Sequence, residues 1–321
     1  MMTIKPFLLN KTWCDWSKFI AAILVAMSHY ATCVCVTHHW SDDAILRLWC
    51  QGGNLGVALF FLLSGYGLME SELKHHLTFF EFIKKRFAKV YLPVLFVSLI
   101  WVPLCLLYKE HYQPDSLFAF IYDILWGFND SVLWFVKILF CLYGLFFIYT
   151  KCRVLGYELI SLLILIIGTL VIQIIANRAS FPYISVPLFG IGVLSSHYKE
   201  KSIGCLPVGL CLLFILIVIY GIFFLAIRDS HYAHGTINGV FCCIVLIIIL
   251  LLPPPQSHTK VGIHSRILKY IVPATFMLYL VHHKVLTMLV WSSGYVSLHC
   301  WLIVTIVVTV LFTTMSKLLK I

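Results

Sequence analysis

Lys18 opens an apolar run, and His29 lies inside it with Tyr30 directly after. A helix turns about 100° per residue, so a spacing of eleven is close to three whole turns. Lys18, Ala22, Val25 and His29 therefore share one face, with His29 about 16 Å along the axis from Lys18. In a membrane helix the lysine would stand at the water boundary and the imidazole near mid-bilayer. An ionisable group at that depth is costly and points by default to function. Such an imidazole can move a proton at a reacting hydroxyl, or it can hydrogen-bond a neighbouring helix and do nothing more. The spacing leaves both uses open.

Four other stretches mix apolar and reactive residues. From Gly56 to Ser71, small residues (Gly56, Gly65) are followed toward one end by Ser64, Tyr66, Glu70 and Ser71. Small residues let a neighbouring helix approach closely, and the hydroxyls make the same stretch a candidate cavity wall. In the segment from Glu72 to Val90, Phe80, Ile83 and Phe87 fall on one helical face and Lys84, Lys85, Arg86 and Lys89 cluster at the end. This is the pattern of an amphipathic helix on anionic lipid headgroups, and equally of a cradle for a phosphorylated ligand. Arg86 and Lys89 are one turn apart and can grip one phosphate. In Trp134-Phe135-Val136-Lys137, the lysine sits within an apolar run and must face a protein interior or snorkel outward. Thr275, Tyr279 and His282 form a polar stripe on one face of a further run, at a depth similar to that of His29. Two histidines can meet across a shared cavity there. Nearby carboxylates are lacking, so no metal is expected. No phosphate-binding glycine loop, dinucleotide fingerprint or nucleophile elbow stands in a suitable strand context.

The elements that must position these residues are membrane helices. Of 321 residues, 61% are hydrophobic and 11% charged, with mean hydropathy +0.98; a soluble domain has about 25% charged residues. Windows of about 20 apolar residues mark about ten spans, near 19–37, 53–71, 90–108, 131–150, 157–176, 181–197, 205–226, 236–252, 270–291 and 297–316. With the N-terminus inside, outer segments carry only Arg47, Lys109, Arg178 and Arg228, while the inner ones hold the basic cluster at 84–89, Lys151, Arg153, Lys199, Lys201, Lys260, Arg266, Lys269 and both termini. That asymmetry follows the positive-inside rule and puts both termini in the cytoplasm. It also accounts for the net charge of +10 without a nucleic-acid partner. The expected architecture is all-α: a polytopic bundle of about ten transmembrane helices, forming one domain over 1–321 with no linker or internal repeat. The first apolar run is long enough to span and is followed by no small-residue cleavage site, so it reads as a span rather than a leader. The twelve cysteines are scattered, mostly in apolar runs, and read as small packing residues.

Taken in order, these stretches resemble the acyltransferase-3 family, the membrane O-acetyltransferases that decorate bacterial surface polysaccharides. Lys18 with His29 is similar to the family's Arg/Lys-X10-His motif, and Phe60 to Tyr66 to its Phe-Phe-x-x-Ser-Gly-Tyr segment. Arg86-Phe87-Ala88-Lys89 matches Arg-x-x-Arg with lysine last, Leu133-Trp134-Phe135 the aromatic start of the fourth helix, and Tyr279-Leu280-Val281-His282 the Tyr-Leu-x-His ending. The resemblance implies transfer of an acetyl or other short acyl group from cytoplasmic acetyl-CoA to a hydroxyl of a glycan or its lipid-linked precursor, in a bacterial inner membrane. Arg86 and Lys89, helped by Lys85, would hold the CoA phosphates, and Lys18 would help position the donor. His29 would be the general base or an acetyl-carrying nucleophile. Ser64, Tyr66, Trp134, Lys137, Tyr279 and His282 would contact substrate or orient the base. Lysine at 18 and 89 keeps the charge of arginine but loses its planar two-pronged grip. A transporter or exporter of a glycan precursor or small metabolite is the competing class; it too needs polar groups at mid-bilayer. Against it stand the lack of a repeat and of an intramembrane carboxylate for ion coupling.

Overall fold

The computed structural model describes residues 11–38, 44–76, 78–126, 134–178, 186–197, 263–294 and 296–319. Among these residues the chain is helical and has no strand. The described helices are α1 (Lys11–His38), α2 (Ala44–His75), α3 (Phe79–Cys105), α4 (Leu117–Trp126), α5 (Trp134–Val154), α6 (Glu158–Arg178), α7 (Pro187–His197), α8 (Ile263–Ser293) and α9 (Leu298–Leu318). Seven of them, all but α4 and α7, are long and apolar enough to cross a membrane. The spans expected near 205–226 and 236–252 lie outside the described residues, and that expected at 181–197 is described from residue 186, as α7.

Two helices have the burial pattern expected of helices in lipid. The buried face of α9 is Trp301, Thr305, Thr309, Thr313 and Ser316, while Ile303, Ile306, Val307, Val310 and Leu311 are exposed. α6 repeats the pattern, with Ser161, Leu165, Thr169 and Gln173 buried and Leu159, Ile167, Ile174 and Ile175 exposed. In water this arrangement would expose large apolar faces and bury hydroxyls. In a bilayer the apolar faces meet acyl chains, and small hydroxylated residues line helix contacts.

The basic segment does not form a surface helix of its own; it makes the first turns of α3. α2 is followed by His76, whose φ of +42° lies in the left-handed region. Thr78 then starts α3 through a capping box: its hydroxyl accepts from the Glu81 N–H, and its own N–H donates to Glu81 Oε2 at 2.9 Å. The helix runs unbroken from there through Pro93 and Pro103 to Cys105. α4 escapes a search for spans because its ten residues rise only about 15 Å. Its N-terminus is capped by Ser116 Oγ, which accepts from the Ala119 N–H at 3.1 Å. It packs on α3, with the Tyr91 hydroxyl donating to the Leu125 carbonyl at 2.9 Å.

The chain divides into two compact units. One comprises 1–21, 54–76 and 138–263, the other 22–53, 77–137 and 264–321, so α1, α2 and α5 each contribute to both. In the first unit α2 and α7 cross at a pair of glycines. A Cβ at Gly65 would run into the Phe189 carbonyl, and one at Gly192 into the Leu62 carbonyl. These are backbone atoms that cannot rotate away, so both positions require glycine. Near this crossing, the carboxylate of Glu70 accepts from Ser196 Oγ at 2.9 Å and faces Lys74 Nζ at 3.7 Å. In the second unit, Ala26, Tyr30 and Val34 of α1 form one buried cluster with Val285, Leu286, Val296 and Trp301. A second cluster joins Trp101, Val102 and Cys105 of α3 to Tyr112.

Candidate functional site

The face of α1 carrying Lys18 and His29 is its packed face: Ala22 and Val25 are buried, whereas Ile20 and Ile23 are exposed. Lys18 and His29 are both partly buried. Lys18 belongs to the first unit and His29 to the second.

Within the second unit, His29 meets α8. Its ring centroid is 5.3 Å from that of His282 and 4.9 Å from that of His283. The stripe Thr275, Tyr279 and His282 is buried, with His282 wholly inaccessible. His282 Nδ1 lies 3.0 Å from the Leu278 carbonyl oxygen. A carbonyl can only accept, so Nδ1 carries the hydrogen, and in the neutral ring Nε2 carries the lone pair. Tyr279 lies 6.0 Å from His282 and packs edge-on against Phe135 at 5.5 Å.

Two aromatic residues tie together the backbones that carry these imidazoles. Tyr30, next to His29, stacks on Trp301 at 5.0 Å and donates its hydroxyl to the Val296 carbonyl at 3.1 Å. The Trp301 indole N–H donates to the backbone carbonyl of His282 at 3.2 Å. One buried indole therefore touches the neighbour of the first histidine and the backbone of the second. Neither Trp301 nor His283 is among the residues the motifs single out. His283 was within sight as the partner of His282 in the sequence, but helix periodicity places only one of two adjacent residues on a given face. Trp301 carries no local signal, because its role arises only from contacts with α1 and α8.

Lys284 was overlooked in the same way. It is 3% exposed, and its ammonium lies 5.5 Å from the centroid of the Trp101 ring, a cation–π contact. An ionisable residue within an apolar run was the signal that could have found it. Val281 and Lys284 of α8, Val97 and Trp101 of α3 and Val304 of α9 line an apolar cavity of about 190 Å³.

The basic residues lie at the start of α3. Arg86 and Lys85 are partly buried and Lys89 is exposed. The Arg86 guanidinium stands over the Phe82 ring at 5.9 Å, and Phe82 itself is buried. Arg86 is about 16 Å along α3 from Val97, the helix level that shares the cavity with Val281 of α8. Trp134 is partly buried at the start of α5, and Lys137 is exposed. Ser64, partly buried, and Tyr66, buried, are on α2 in the first unit. Among the described residues no group of three or more His, Cys, Asp or Glu is placed to hold a metal ion.

The second unit thus brings the partly buried His29 against His282, which is itself flanked by Tyr279, on a scaffold that also carries the cationic start of α3. Imidazoles packed among apolar helices suit proton transfer at a hydroxyl, and cations clustered at a helix end suit an anionic ligand from solution. No curated protein and no solved structure matches the chain. The family model described as an acyltransferase domain matches residues 11–317, nearly the whole sequence and continuously through both units. With seven helices fit to cross a membrane, the chain belongs to the acyltransferase-3 family of membrane acyltransferases.

Proposed function

We propose that the protein moves an acetyl or other short acyl group from cytoplasmic acyl-CoA to a hydroxyl of a surface glycan or its lipid-linked precursor, with His29 as general base. The observation that carries the proposal is the contact of His29 with His282 inside apolar helices of a chain that belongs to an acyltransferase family. Arg86, Lys89 and Lys85 bind the CoA phosphates at the inner face, by charge-assisted hydrogen bonds. Lys18 helps to hold the donor. The helical distance from Arg86 to the level of α8 leaves the pantetheine arm to run along α3 toward the imidazoles. His29 takes the proton of the acceptor hydroxyl as its oxygen attacks the thioester carbonyl. The C–S bond breaks, the CoA sulfur leaves, and the imidazolium returns the proton to it. His282, its Nδ1–H directed at the Leu278 carbonyl, lies beside the base and, with Tyr279, orients it. Ser64, Tyr66, Trp134 and Lys137 serve the acceptor or the acyl arm.

The test is release of free CoA by protein purified in nanodiscs, for wild type and for His29→Ala. Turnover that vanishes in a variant shown to be folded supports the assignment. Donor turnover at the wild-type rate in that variant removes His29 from the chemistry. A folded wild type that neither binds nor turns over acyl-CoA would instead favour a transport role.

A further inference from the structure

The second half of α1 is tied to the start of α2 by contacts that catalysis does not use. Ser28 Oγ donates to the Cys50 carbonyl at 2.6 Å. Gly53 passes so close that a Cβ there would lie 2.7 Å from Ser28 Oγ. About two turns further along α1, the thiols of Cys35 and Cys50 are 3.8 Å apart. All of these residues belong to the second unit. Both thiols are partly buried, and Cys35 is the last residue of its apolar span.

A disulfide needs sulfurs about 2.05 Å apart. The remaining gap is under 2 Å, and the Ser28 and Gly53 contacts hold the two helices together at this level. We infer that Cys35 and Cys50 are a disulfide-forming pair that staples α1 to α2 at the outer face, six residues beyond His29. The loop so closed contains residues 36–49. The side of the membrane rests on the charge asymmetry of the loops, which puts this end of α1 outside, in a compartment where disulfides form and persist. The oxidant is a disulfide-bearing thiol oxidase of that compartment. One cysteine thiolate attacks the oxidase disulfide to give a mixed disulfide and a free oxidase thiolate. The second cysteine thiolate then displaces the oxidase sulfur. Two protons leave the pair, and its two electrons reduce the oxidase to the dithiol.

The experiment uses the full chain in membranes of a bacterium with an active periplasmic oxidation pathway. Free thiols are blocked in intact cells with N-ethylmaleimide before lysis, and peptides are analysed by mass spectrometry with and without reduction. The expected result is a peptide linking residues 35 and 50 that disappears on reduction, in at least half of the molecules. Cys35→Ser should abolish the linked peptide and leave Cys50 alkylated. Wild-type protein with both cysteines alkylated and no linked peptide overturns the inference. So does a Cys50 that stays linked to another residue in the Cys35→Ser variant. Neither outcome depends on acyl transfer, so the staple and the proposed function stand or fall separately.

Discussion

Trp301→Phe isolates what the buried indole does for the two imidazoles. The variant keeps an aromatic ring to stack on Tyr30 but removes the N–H that reaches the His282 carbonyl at 3.2 Å. A hydrogen bond of this kind is worth about 1 kcal/mol net. The smaller ring also leaves a void at a site only 1% exposed, which adds about 1 kcal/mol by the usual behaviour of large-to-small core changes. If the contact serves to hold His282 against His29 in the transition state, the whole of about 2 kcal/mol appears in kcat, a loss of about 30-fold. The KM for acyl-CoA should stay within about twofold, because the cations proposed to bind the donor phosphates sit near the start of α3, about 16 Å along that helix from Val97 at the level of α8. The assay is CoA release at saturating and limiting donor, with thermal unfolding in the same detergent to record the stability change. A variant that unfolds several degrees earlier but keeps a wild-type kcat would refute the reasoning. The indole would then be a packing residue, and the alignment of His29 with His282 would not depend on it.

Four other variants are predicted from the same structure. His29→Ala should abolish transfer in a protein that still inserts and purifies as a single species, read by CoA release and size-exclusion chromatography. Arg86→Ala should raise the Kd for acyl-CoA by about 10- to 150-fold, the equivalent of a lost charge-assisted contact of about 1.5–3 kcal/mol, with little change in kcat; titration with a non-hydrolysable donor analogue measures it, and an unchanged Kd would exclude Arg86 from the donor site. Gly65→Ala should destabilise the protein by about 1–3 kcal/mol through its clash with the Phe189 carbonyl. Gly67→Ala, two residues on, meets nothing within 4 Å and should be neutral or stabilising by up to about 1 kcal/mol in the same unfolding measurement.

Much of the architecture was legible from the chain alone, because the cost that creates it is local. A backbone in lipid must satisfy its own hydrogen bonds, so each apolar window of about 20 residues becomes a helix wherever it falls. That reasoning locates α1, α2, α3, α5, α6, α8 and α9. It misses α4, too short for the window, and it misplaces the start of α3. There a capping box at Thr78 and Glu81 carries the helix outward past the apolar boundary and takes Arg86 and Lys89 with it. The register of Lys18 with His29 was likewise legible, since both lie on one helix and helical geometry alone places them on one face.

What the sequence could not decide is which helices meet and how each is rotated about its axis. Adjacent His282 and His283 point about 100° apart on α8, yet both rings come within 5.5 Å of His29, because the crossing of α1 with α8 places that ring between them. Tyr30 finds its hydrogen-bond acceptor 266 residues away at Val296, and Trp301 becomes part of the site only by touching both Tyr30 and His282. Gly65 requires Gly192 for the same reason: each removes a Cβ where the other helix's backbone must pass. Such contacts are set by close packing between distant segments, and no window along one helix contains them. The sequence determined which residues could be reactive and where along each helix they fall; the tertiary structure decided which of them touch.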